Sequence, residues 1–88
     1  MKRSQLFQSA LARCRESFMG YPEDPAAPVL IKQLEYLVDL ETGVRNDREG
    51  LNDITIGIIA ARIVEDFDVP LAKLLHEVQR HVREMIAE

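Results

Sequence analysis

The chain has no tryptophan, one cysteine, and only two tyrosines and three phenylalanines. With Cys14 alone, an internal disulfide is excluded, and a reducing compartment is the simplest reading. The four glycines are scattered at positions 20, 43, 50 and 57, so there is no glycine-rich phosphate loop. Ser4, Ser9 and Ser17 lack a neighbouring histidine, which leaves a nucleophilic triad without local support. The longest uncharged run, Ser4–Ala12, and the more apolar Ile54–Ala61 both fall far short of the ~20 apolar residues that span a bilayer. Lys2 and Arg3 are followed by polar residues, so no signal-peptide pattern opens the sequence. No stretch alternates apolar with polar, and Asn-Gly and Asp-Gly are absent, which argues against strands and hairpins.

What remains is an 88-residue chain, 47% apolar and 30% charged. That balance belongs to one globular domain covering residues 1–88, with room for a single core and no deep two-domain cleft. The net charge of −4 is uneven. Residues 1–15 carry four bases and no acid, whereas residues 16–72 carry four bases against twelve acids. Such a field repels phosphate backbones, so nucleic acid is a poor partner, and it favours a basic protein cleft.

Apolar residues recur at helical spacing. Leu6, Ala10, Leu11, Cys14 and Phe18 share one side of a first helix, with Ser4 as its expected N-cap and Gly20 and Pro22 ending it. Leu30, Leu34, Leu37 and Val38 face inward on a second, which begins near Pro25 or Pro28 and stops at Gly43. Asn46–Gly50 reads as a turn, with Asp47 as the cap of a short helical turn. In the third helix Ile54, Ile56, Ile58, Ile59, Ala60, Ala61, Ile63 and Val64 leave only a narrow polar strip, so this helix is expected to be central and the most buried. Gly57 inside it signals a close neighbour. Asp68 caps a fourth helix with Pro70 in its first turn, Leu71, Leu74, Leu75, Val78, Val82 and Met85 inward, and Lys73–Glu77 and Arg80–Glu84 pairs outside. The expected fold is all-α: a compact four-helix bundle-like single domain.

The chemistry-bearing residues are acids. Glu35 and Asp39 lie four apart on the exposed arc of the second helix, a spacing that opposes helix formation slightly. Glu65, Asp66 and Asp68 crowd the end of the third helix, where the dipole disfavours anions. Two such groups on adjacent helices are compatible with Mg²⁺, as in all-α nucleotide pyrophosphohydrolases, or with docking on a cationic partner. The tight Glu-x-x-Glu clusters of such enzymes are missing. Glu77, His81 and Glu84 share a face, but long solvated side chains at helical spacing are ordinary there. Helices three and four also fit a helix-turn-helix pattern, with too many acids on the second for a DNA groove.

Several stretches together resemble a known family of small, all-helical bacterial immunity proteins encoded beside type VI secretion effectors. They are Tyr21-Pro22; Lys32-Gln33-Leu34-Glu35-Tyr36-Leu37; Asn46-Asp47-Arg48 with Leu51 and the Ile54–Ala60 segment; and Asp66-Phe67-Asp68 with Leu71-Ala72-Lys73-Leu74-Leu75. The likeness spans roughly residues 20–78. It implies a cytoplasmic, non-catalytic protein without cofactor or metal. Such a protein binds a cognate toxin domain, one that hydrolyses NAD(P) or pyrophosphorylates adenine nucleotides, and blocks its active site. The acidic arc supplies the expected contacts: Glu35, Tyr36 and Asp39, flanked by Asp47 and Asp66. A homodimer through Met19, Tyr21 and Tyr36 and a helical adaptor or antitoxin stay open as alternatives.

Overall fold

The computed structural model describes residues 2–88, and the fold follows from three amphipathic stripes. They form α1 (Arg3–Ser17), α2 (Ala26–Thr42) and α4 (Val69–Ala87). A shorter α3 (Ile56–Arg62) lies between α2 and α4 in the chain, and single 3₁₀ turns occupy Phe18–Gly20, Glu49–Asp53 and Val64–Asp66. The described residues contain no strand, so the all-α expectation is met.

Ion pairs and caps fix the topology. Arg3 at the start of α1 reaches Glu41 near the end of α2 (3.2 Å) and Glu88 beyond α4 (2.7 Å). Arg48 donates to the Met85 carbonyl (2.8 Å), satisfying one of the last acceptors of α4. At the opposite end the Ser17 hydroxyl donates to the Asp68 carboxylate (2.6 Å). Thus α1 runs antiparallel to both α2 and α4 and packs against each of them. Beside it, α3 lies on α4.

Helix boundaries follow local chemistry. Gly43 ends α2 with a φ of 82°, the left-handed region that favours glycine. The Asp68 carboxylate accepts from the Leu71 N–H (3.0 Å), so the expected cap of α4 is present, with Pro70 in the first turn. The start of α1 differs from expectation: Ser4 lies inside the helix, Lys2 is the cap residue, and the Gln5 side chain accepts from the Lys2 N–H (3.2 Å).

Leu6, Phe7, Ala10, Cys14, Leu30, Leu34, Leu37, Leu71, Leu75, Val78, Val82 and Met85 make up most of the core, and no polar or charged residue among those described is buried. Cys14 is fully enclosed, and burial pushes its thiol up to about 11, so it is a packing residue and not a nucleophile.

The third helix is the main correction. It spans seven residues, and only Ile56 and Ala60 within it, with Val64 after it, are buried. Ile58 is 56% exposed. The helix is therefore a lateral one, packed chiefly on one side. Two glutamines attach it. Gln33 of α2 makes a reciprocal pair with Thr55, receiving the Thr55 N–H (2.9 Å) and donating to its hydroxyl (2.9 Å). Gln79 of α4 accepts from the Gly57 N–H (2.9 Å). A Cβ at Gly57 would fall 2.9 Å from Gln79 Cγ, so the glycine does mark a close neighbour.

Candidate interaction site at the end of the second helix

Three of the acidic-arc residues gather with one cation at the C-terminal end of α2. The Tyr36 ring is half-buried and its hydroxyl donates to the Asp47 carbonyl (2.6 Å). Arg45 lies over the ring, its guanidinium carbon 4.9 Å from the centroid. The same guanidinium grips the Asp47 carboxylate through Nε (2.9 Å) and Nη2 (3.0 Å). Asp39 joins through its backbone, accepting the Arg45 N–H (3.1 Å). Beneath the ring sits Gly50, where a Cβ would fall 2.8 Å from Tyr36 Cζ. Val44, 74% exposed, projects beside Arg45.

This Tyr–Arg–Asp stack is built before any partner arrives. The hydrogen bond from Arg45 holds the Asp47 carboxyl below the usual range, and the same contact raises Arg45. Burial and then the Asp47 charge push the Tyr36 phenol up, so it stays a hydroxyl donor. Asp47 does not cap the turn that follows: the 3₁₀ turn begins at Glu49 behind Arg48, and the Asp47 carboxylate is given to Arg45.

The remaining acids are dispersed. Glu35 pairs with Arg15 of α1 (3.1 Å), so its charge is partly answered within the chain. Asp66 precedes Phe67, whose ring meets Phe18 at 5.3 Å and Tyr21 at 5.1 Å, at the end of the molecule where α1 finishes and α2 starts. It is therefore at the other end of α2 from Asp47. Met19 and Tyr21 are exposed at that same far end, so they form no single face with Tyr36. Glu65 lies 3.3 Å from His76, and Arg80 takes the Glu84 carboxylate (2.6 Å) and the Glu77 carboxylate, which leaves Lys73 out of the expected pair. Among the described residues no group of three or more His, Cys, Asp or Glu stands in a metal-binding arrangement. Likewise no helix is long and apolar enough to cross a membrane.

Arg45 is the functional candidate that sequence reasoning missed. It follows Gly43 in an irregular segment, where periodicity says nothing. Its only signal was a cation two residues from an acid.

Comparison with known proteins adds one decisive match. The profile of the Tsi6 family fits residues 2–84. The chain belongs to the Tsi6 family, immunity proteins of type VI secretion. No curated protein and no solved structure matches it. A Tsi6 assignment implies a cognate toxin as partner. It also gives the preformed stack a context, because an exposed tyrosine–arginine cluster is the residue chemistry that dominates protein interfaces.

Proposed function

We propose that this chain acts in the cytoplasm by binding its cognate toxin domain and covering that domain's active site, with no catalytic step of its own. The contact surface is the second half of α2 and the segment that follows it: Tyr36, Asp39 and Asp47 with Arg45 and Val44, and Glu35 at its edge beside Arg15. The toxin's chemistry is NAD(P) hydrolysis or pyrophosphorylation of adenine nucleotides, as the family resemblance implies. A toxin of either kind needs a basic, phosphate-receiving cleft, and an acidic helix end complements it. Asp66, on the far side of the molecule, stands outside this contact.

The observation that carries the reading is the locked Tyr36–Arg45–Asp47 stack. Side chains held in place before binding lose little entropy on association, which is how a small surface gains affinity. The test is protection of cells that express the toxin encoded beside this chain. Glu35→Lys with Asp39→Lys, folded by circular dichroism, should fail to protect. Glu16→Lys with Glu23→Lys, two exposed acids at the other end that pair with no base among the described residues, should still protect. Equal protection by both variants would remove the end of α2 from the interface. Turnover of nucleoside triphosphates by the chain alone, abolished by Glu35→Gln, would replace the binding role with an enzymatic one.

A further inference from the structure

The arginines of this chain divide into two groups. Arg3, Arg13, Arg15, Arg45, Arg48 and Arg80 each lie within 4.0 Å of a carboxylate. Arg62 and Arg83 make no ion pair among the described residues, although the chain has fifteen acids to offer. Both line the same groove, a concavity of about 450 Å³ between α3 and α4. Its remaining walls are Ile54, Ile58, Ala61, Gly57, Gln79 and His76, with no carboxylate among them. An acidic protein thus keeps a groove with an apolar middle and two arginines unpaired among the described residues; Glu65 meets its His76 wall (3.3 Å).

The geometry narrows the ligand. Gly57 opposite Gln79 and Glu65 opposite His76 show that α3 and α4 are antiparallel. Arg62 is then level with His76, and Arg83 is level with Ile54. At ~1.5 Å rise per residue, the seven residues from His76 to Arg83 set the two cationic poles ~10 Å apart. Ile58 and Ala61 lie between them. The groove therefore suits two separated anions flanking an apolar group, not one phosphate clamped by both guanidiniums. The backbone supports this. The Thr55 and Gly57 N–H groups at the start of α3, which could have received a phosphate, already donate to Gln33 and Gln79. A second copy in a two-fold dimer would bring cationic groove to cationic groove, which is unfavourable.

We infer that the α3–α4 groove docks an acidic, apolar-centred segment of a protein partner, whose two carboxylates pair with Arg62 and Arg83 while an apolar side chain meets Ile58. Side chains alternate along an extended segment, so acids at i and i+4 share one face ~13 Å apart with an apolar residue at i+2 between them, a span that the long arginine stems cover. The inference rests on the immunity reading only for which protein carries the segment, namely the toxin. It would give that complex a second contact, of opposite charge to the end of α2.

The test is an NMR titration of the isotope-labelled full chain with the capped synthetic peptide Gly-Glu-Ala-Leu-Ala-Glu-Gly. The expected result is a set of saturable amide shifts confined to Gly57, Ile58, Ala61, Arg62, Gln79 and Arg83. The Arg62→Gln, Arg83→Gln double variant should bind about tenfold more weakly, since two exposed ion pairs are lost. Both arginines are exposed, so that variant keeps its fold; the single variants provide a second reading, each giving part of the loss. Absence of shifts in the groove, equal shifts with the Gly-Lys-Ala-Leu-Ala-Lys-Gly peptide, or unchanged affinity in the double variant would each overturn the inference. None of these outcomes involves the toxin, so failure here is distinct from failure of the protection assay.

Discussion

Asp68 ties two helices together through a single carboxylate. Its carboxylate accepts from the Ser17 hydroxyl (2.6 Å) and the Leu71 N–H (3.0 Å), joining the end of α1 to the start of α4. Asp68→Ala should cost about 1–2 kcal/mol by urea denaturation, the usual worth of a lost helix cap. These bonds, the Ser17 one foremost, hold the carboxyl below its ordinary range. A depressed folded value means that the stabilisation is present above the unfolded-state value and is lost as pH falls through the folded one. The stability difference between the wild type and Asp68→Ala should therefore shrink with acidification below about pH 4, the ordinary aspartate range. A difference that stays constant to the acid limit would contradict this. Gly50 makes an independent case. A Cβ there would meet Tyr36 Cζ at 2.8 Å, so Gly50→Ala should displace the ring from beneath Arg45. The phenol, raised chiefly by burial, should then titrate at lower pH in an ultraviolet titration, and an unchanged profile would mean that the ring had not moved.

At the scale of elements, α3 is the weakest part. It has two turns, an exposed Ile58 and a 3₁₀ continuation, while α2 and α4 bury continuous stripes. Amide exchange should be slowest in α2 and α4 and faster across Ile56–Arg62, the reverse of what the sequence pattern suggests. Leu34→Ala should cost ~2–5 kcal/mol, and Ile58→Ala within ~0.5 kcal/mol. The Gly57–Gln79 contact can be isolated by a double-mutant cycle. Gly57→Ala must push Gln79 aside and break its hydrogen bond, so it should destabilise the wild type; in a Gln79→Ala background the same change should stabilise, because alanine is the better helix former.

The same elements show what could be read in advance. Stripes such as Leu30–Leu34–Leu37, the Asp68 cap and the Gly43 stop are local patterns with local causes, and they were legible. The place of α3 was not. A helical wheel counts isoleucines but cannot tell which of them a neighbour covers, and β-branched residues so densely set shorten a helix that apolarity alone would extend. The acids of the candidate site were legible as charges. That Arg15 and Arg45 answer two of them, and that no described residue pairs with Arg62 or Arg83, depends on how distant segments meet.

At the scale of the whole molecule, α1 packs antiparallel to α2 and to α4, α3 packs antiparallel to α4, and two faces are proposed as contact surfaces. One is the rigid, acid-rich end of α2; the other is the cationic groove between α3 and α4. The membership in the Tsi6 family says what kind of partner to bring, and the end of α2 is the place proposed for it. The most direct test of the account is calorimetric titration of the chain into the toxin domain encoded beside it, with the toxin's nucleotide chemistry assayed on the same samples. The account predicts saturable binding that abolishes turnover in proportion to occupancy, with Tyr36→Ala and Arg45→Ala, both folded, weakening affinity and inhibition together. Binding that leaves the toxin's turnover intact, or full inhibition by both variants at wild-type affinity, would contradict it.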